Sequence, residues 1–211
     1  MLNMLGINNF ETFIVASILL NITPGVDSFY ILKYSASQGK KAGLWAVSGI
    51  LAGIFFHTIM ASVGLSSLLA KSATVYSFVK IVGSLYLIYL GVKMFFEKGG
   101  VVEKNKDAMV CNVWKIFRQG FLTNALNPKV AIFFLAFLPQ FVVQGSQSHI
   151  LSFMALGLTF VGTSLCWCLF LVFSSVRLFC RVLKSRKVSV YFNKLAGLVF
   201  VIFGLKLSLE K

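Results

Sequence analysis

The sequence predicts an all-α integral membrane protein with six transmembrane helices, arranged as two inverted three-helix repeats whose first and fourth helices are broken at proline. Three observations predict it. Hydrophobic residues fill 58% of the 211 positions and charged residues only 12%, outside the range of ordinary soluble domains. Apolar runs of about 20 residues, the length of a bilayer-spanning helix, occur six times. Two of these runs are interrupted by short polar motifs, Thr23-Pro24-Gly25-Val26-Asp27 and Asn124-Ala125-Leu126-Asn127-Pro128-Lys129.

The runs cover residues 10–32, 42–70, 75–96, 121–143, 151–176 and 191–209. Stretches such as 50–56 and 165–173 are apolar throughout, so helices are expected rather than the alternating strands of a barrel. In the first run no Lys or Arg precedes the apolar core, and the first basic residue is Lys33, so it reads as a retained helix and not a signal peptide. Within it, Pro24 removes a backbone donor and frees the carbonyl of Leu20; Pro128 does the same to Asn124 in the fourth run. Such breaks persist in lipid only where they serve something polar. Pro24, Gly25 and Pro128 are therefore read as deliberate helix breaks.

The net charge of +14 comes with a positional bias. Fifteen of the twenty basic residues follow the first, third and fifth runs, whereas Lys71, Lys80, Lys206 and Lys211 follow the others. By the positive-inside rule both termini are expected on the non-cytoplasmic side. Topogenesis and contact with anionic membrane lipid explain these clusters, and no nucleic-acid partner is expected. Lys80, Lys93, Lys194 and Lys206 bracket short apolar cores and read as snorkelling anchors. Four cysteines, Cys111, Cys166, Cys168 and Cys180, offer no extracellular framework and read as free thiols.

The chain also repeats itself. The stretch from Lys80 to Lys93, with Gly83 and Gly91, is echoed from Lys194 to Lys206, with Gly197 and Gly204. Together with the two proline breaks this divides the chain into a first repeat, 1–96, a cytoplasmic linker, 97–119, and a second repeat, 120–211. Three helices per half make the halves inverted, an arrangement that secondary transporters use for alternating access. Recurrence of glycine and aromatics in any membrane helix is the plainer alternative.

Asp27 is the most informative ionisable residue, because an acid inside a spanning helix costs several kcal/mol unless paired, hydrated or protonated. It falls roughly 9 Å past the midpoint of its run, and Lys129 roughly 4.5 Å past the midpoint of the fourth on the same side. The two can face one another. One reading is a fixed ion pair that holds the halves together. The other is a divided clamp, with Asp27 meeting a substrate ammonium or a coupling proton and Lys129 or a half-helix N-terminus meeting a carboxylate, which suits a zwitterion. By these boundaries both prolines fall in the inner half, whereas strict inversion needs opposite leaflets, so either the breaks hug the midplane or the symmetry is approximate. Thr23, Asn124 and Asn127 are neutral polar candidates for the same site. His57 shares a helical face with Gly49 and Gly53, a face suited to close approach. Its imidazole reads equally as a proton relay and as a buried ring bonded to a carbonyl. Glu11 is expected to face external water.

These residues resemble the lysine-exporter superfamily (LysE/RhtB), in particular its homoserine and threonine resistance branch of bacterial amino-acid exporters. The resemblance covers nearly the whole chain: Thr23-Pro24-Gly25-x-Asp27, Gln38-Gly39-Lys40-Lys41-Ala42-Gly43, Gly49 to Gly53 with His57, Gly83 to Gly91, Gly120-Phe121-Leu122-Thr123-Asn124, Asn127-Pro128-Lys129 and Phe137-Leu138-Pro139-Gln140-Phe141. Where the family usually has a second proline this chain has Val26. The resemblance implies a six-helix protein of the bacterial inner (plasma) membrane that exports amino acids or their derivatives, by exchange with protons.

No phosphate-cradling Gly-x-x-x-x-Gly-Lys-[Ser/Thr] stretch occurs, so ATP use by this polypeptide is not expected, nor is any cofactor. A membrane-embedded enzyme would need a convergent nucleophile and base or a metal set. Only His57 and His149 are present, and His149 falls in an outer loop. An exporter of heavy metals or other cations is the nearer alternative. It needs Cys166, Cys168 and His57 to converge, although Cys166 and Cys168 leave a helix on different sides and no metal site is expected. A passive channel is a third class, distinguished by conductance. The glycine faces allow a homodimer.

Overall fold

The computed structural model describes residues 6–23, 25–71, 81, 82, 84, 85, 88, 89, 91–93, 95, 96, 112–143, 149–174, 190, 191, 194, 197, 198, 201, 202 and 205. Pro24, Cys111, Cys180, most of the 97–119 stretch and the basic residues between 175 and 189 lie outside them. Among the described residues five α-helices are defined: α1 (Phe10–Ile22), α2 (Val26–Lys71), α3 (Val113–Ala125), α4 (Pro128–Ile132) and α5 (His149–Phe173). After α4 the chain loosens into a π-helical turn, Phe133–Phe137, and then tightens into a 3-10 turn, Leu138–Phe141. The described positions between 81 and 96 and between 190 and 205 are helical as well. The β pairing among the described residues is one isolated antiparallel bridge, Ile7 to Val142.

Gly39 divides α2. Its φ of 82° and ψ of 179° belong to a region that glycine alone enters without strain. In a straight helix residues 35 and 43 would stand about 12 Å apart, yet a Cβ built on Gly43 would collide with the Ser35 side chain. Residues 26–38 and 40–71 are therefore two helices folded back on each other. The interrupted first segment runs to residue 38, beyond the apolar run that ends at 32, and the fourth begins at Val113, inside the stretch read as linker. Hydropathy marks where a helix is apolar; Lys33, Lys115 and Arg118 continue a helix without continuing its apolar run.

These longer segments centre both breaks. The half-helices before them, α1 and α3, are each 13 residues long. The two interrupted segments lie antiparallel along their whole length. Ile7 bridges Val142, Lys129 reaches Leu20, Asn124 and Asn127 reach Asp27, and Tyr30 and Tyr34 reach Ile116 and Gln119. Among the described residues two stretches are long and apolar enough to cross a membrane, Val26–Ser67, which includes the reversal at Gly39, and His149–Phe173; the pair Val113–Ala125 with Pro128–Phe141, bent by 47°, makes a third if it is one span.

The core is aromatic at one end. Phe13, Phe133, Phe137, Phe153 and Phe160 are fully buried, and Phe13 meets the rings of Phe133, Phe137 and Phe141 at 6.3, 6.5 and 5.3 Å. At the other end the contact is polar: the Tyr30 hydroxyl donates to the Ile116 carbonyl at 2.6 Å and Tyr34 to Gln119 at 2.9 Å. Glu11, in the first turn of α1, is exposed. The two stretches that echo one another in sequence also meet. A Cβ on Gly91 would stand 2.5 Å from the Gly197 carbonyl oxygen, and one on Gly197 equally close to the Gly91 oxygen.

The face formed by Gly49, Gly53 and His57 packs on α3, as its spacing predicts. A Cβ on Gly49 would stand 3.1 Å from the Gly120 Cα, and one on Gly53 would stand 2.7 Å from the Asn124 Cβ and 3.1 Å from the Ala125 nitrogen. At Gly64, on the same helix, the space is open. Gly53→Ala is expected to lower stability by about 1–3 kcal/mol through overpacking, whereas Gly64→Ala is expected to be neutral or to gain up to about 1 kcal/mol in helix propensity. Parallel melting curves in detergent check the pair; equal shifts would contradict this account of the α2–α3 contact.

Candidate functional site

Each break leaves carbonyls that its own helix cannot satisfy, and each is closed by a side chain from elsewhere in the bundle. At the end of α1, Thr23 turns its backbone N–H and its hydroxyl back to the Leu19 carbonyl, at 3.1 and 2.7 Å. The carbonyls of Leu20 and Thr23 remain, and the Lys129 ammonium donates to both, at 3.1 and 3.2 Å. At the end of α3 the Asn124 carbonyl accepts from the Asn127 N–H at 2.9 Å and from His57 Nε2 at 3.2 Å. The sequence names Leu20 and Asn124 as the freed carbonyls, and the structure supplies their donors. Of the two roles open to His57, its geometry is that of a buried ring bonded to a carbonyl.

Asn127 links the breaks. As N-cap of α4 its Oδ1 accepts from the Lys129 N–H at 3.0 Å, with Pro128 at the first helical position, where a missing donor costs nothing. Its Nδ2 donates to Asp27 Oδ2 at 3.1 Å, and Asn124 Nδ2 donates to the same oxygen at 2.9 Å. Asn124 is fully buried, and Asn127 and Thr23 nearly so. Among the described residues no hydrogen-bond donor reaches the buried Asp27 Oδ1.

A cavity of about 40 Å³ lies between the breaks. Thr23, Gly25, Asp27, Asn127 and Lys129 line it, facing an apolar wall that includes Ile50, Ile54 and Phe160. Asp27 and Lys129 thus share one cavity and act on each other electrostatically. Asn124 stands behind the lining, one hydrogen bond from it, and His57 stands one bond further back. The space holds about three waters.

Asn21, Ser164 and Thr163 join the site without a signal in the sequence. Ser164 donates to Asn21 Oδ1 at 2.9 Å, and Asn21 Nδ2 donates to Thr163 at 3.2 Å, tying α1 to α5 beside the cavity. Small polar residues are frequent in membrane helices, and only the register between α1 and α5 distinguishes these. Of the cysteines, Cys168 is buried and lines the cavity while Cys166 is exposed, the divergence that their spacing predicts.

A polar cavity formed where two interrupted, antiparallel membrane helices meet is the kind of site found in membrane translocators. Residues 18–211 match the LysE type translocator family model, and the chain belongs to that family, one of translocators and not of enzymes. It is 33% identical over 207 residues to the uncharacterized membrane protein YrhP of Bacillus subtilis (strain 168), covering 94% of this chain and 97% of that one. It is 28% identical over 203 residues to a leucine efflux protein of Klebsiella pneumoniae and 27% identical to one of Salmonella typhimurium, with 96% of each chain covered. No solved structure matches the chain.

The bonds to Asp27 are charge-assisted when its carboxylate is ionised, and those of Asn21 are between neutral groups. Asn124→Ala is therefore expected to cost about 1.5–3 kcal/mol and Asn21→Ala about 0.5–1.5 kcal/mol. Thermal denaturation of the two variants in detergent checks the order, and a larger loss at Asn21 would contradict an ionised Asp27 in this network.

Proposed function

We propose that this chain is a secondary transporter that exports amino acids with neutral, apolar side chains from the bacterial cytoplasm across the inner membrane, exchanging them for protons. The observation that carries the reading is the composition of the cavity. A pole bearing one acid and one base, Asp27 and Lys129, faces an apolar wall with Ile50, Ile54 and Phe160. An amino acid has the complementary form, a zwitterionic head and, in this class, an aliphatic side chain. The names of the leucine efflux relatives support the same substrate class.

In this reading the chain forms two inverted three-helix halves, the first 1–96 and the second starting with α3 at Val113, joined by a shorter cytoplasmic linker, with both termini outside. The antiparallel course of the interrupted segments and the centring of both breaks support it. The site residues are Asp27 and Lys129 as charged poles, Thr23, Asn124 and Asn127 as their neutral partners, and His57 as support for the second break. Asp27 also carries the coupling proton, released as the halves rock about the site.

Two measurements test this. Cells lacking the protein and loaded with leucine-containing dipeptides are expected to retain leucine that complemented cells export, with lysine and glutamate unaffected; export of the charged amino acids alone would overturn the substrate class. In proteoliposomes Asp27→Asn is expected to reduce proton-driven leucine transport by roughly 10- to 100-fold, the equivalent of about 1.5–3 kcal/mol for a bond to a charged group. Full proton-driven transport by that variant would remove Asp27 from coupling.

A further inference from the structure

We infer that the carbonyl oxygens of Leu20 and Thr23, with Asp27 Oδ1, form the seat of the substrate's ammonium group, and that the Lys129 ammonium holds this seat as a tethered stand-in until substrate displaces it. The inference rests on the exporter reading and refines it: the lysine is a competitor for the ammonium position before it is a partner for the carboxylate.

The first ground is the position of Lys129 in its own helix. It lies in the first turn of α4, where the helix dipole presents its positive end and a cation gains nothing. Its Nζ reaches instead to the C-terminal end of α1, where unsatisfied carbonyls concentrate negative charge. A lysine side chain is thus held by the same features that would hold any primary ammonium.

The second ground is stoichiometry. A primary ammonium carries three N–H donors and no acceptor. Among the carbonyl oxygens freed at the break in the first segment, those of Leu20 and Thr23 converge on one point, 3.1 and 3.2 Å from Nζ. Asp27 Oδ1, buried and without a hydrogen-bond donor among the described residues, supplies a third acceptor on the same cavity. Three acceptors, one of them charged, match three donors and one charge.

The third ground is proximity. Leu20, Thr23, Asp27 and Lys129 line one cavity, and so does Gly25, where even a Cβ would only touch Nζ, at 3.7 Å. An arriving amino acid brings an ammonium for the seat and a carboxylate for the displaced lysine. The exchange is a swap of like for like, so neither the carbonyls nor the lysine is left unpaired at its end.

The probes are leucine, 3-methylbutylammonium, which keeps the side chain and the ammonium, and 4-methylpentanoate, which keeps the side chain and the carboxylate. Binding is read as protection against thermal denaturation of the detergent-solubilised protein, wild type against Lys129→Met. Removing the tethered competitor is expected to strengthen 3-methylbutylammonium binding by about tenfold or more, because a site closed for part of the time has its affinity reduced by that fraction. Binding of 4-methylpentanoate is expected to disappear. If the amine binds wild type and variant equally, or binds the variant less well, the seat lies elsewhere and the inference fails even though leucine transport stands. If wild type neither binds nor transports leucine, the exporter reading is what fails. Lys129→Gln is measured alongside: a variant that folds only with 3-methylbutylammonium present supports the inference, and one that unfolds with or without it counts against it.

Discussion

The structure depends on four carbonyl and carboxylate groups that cannot be left bare in an apolar bundle. Breaking a helix inside lipid strands backbone acceptors, and each stranded group costs several kcal/mol unless a donor replaces the lost one. Here the donors come from outside the broken helix. Lys129 closes the end of α1, and His57 contributes to closing the end of α3. Asn124 and Asn127, beside the second break, hold the carboxylate that follows the first. Neither break is viable without the other, so the two segments must lie antiparallel with their interruptions side by side.

Several features that look local follow from that constraint. Gly49 and Gly53 are small because α2 has to come close enough to α3 for His57 to reach a backbone oxygen. Asn127 cannot be replaced by a simple cap such as Ser, because it caps α4 with its oxygen while its nitrogen serves Asp27. The ends of the paired segments differ in kind, with interlocked phenylalanine rings at one and hydrogen-bonded tyrosines at the other. The polar pole is thereby enclosed on one side by surface that excludes water, where electrostatic interactions are strong.

The parts legible in the sequence were those fixed by backbone chemistry. Proline identifies its stranded carbonyl by counting four residues back, which points to Leu20 and Asn124 without any structure. An acid and a base near two such breaks point to one site, and Asp27 and Lys129 do line one cavity. Helix length was less legible, since hydropathy stops at residue 32 and begins at 121 while the helices continue to 38 and begin at 113. Their ends are set by Gly39 and by the Asn112 cap, whose side chain accepts from Lys115, and not by the edge of the apolar run. The link from Asn21 to Ser164 was not legible at all, because it depends on how α1 is rotated against α5. The π-helical turn after α4 likewise depends on how the buried phenylalanine rings around it fit together, which no single-residue pattern encodes.

The same interactions constrain how the proposed transporter can move. A rocking motion that simply pulled the interrupted segments apart would strip Lys129 from two carbonyls and Asp27 from two amides, and the summed cost would exceed what one bound amino acid returns. A motion in which donors and acceptors change partners carries no such cost. Lys129 can leave the carbonyls only if another ammonium takes them, and Asp27 can leave the amides most easily once it is neutralised. Substrate supplies the first condition and a proton the second. The breaks therefore do more than make room for a ligand: they make the closed bundle's own hydrogen bonds exchangeable for the ligand's, which ties movement of the halves to occupancy of the site.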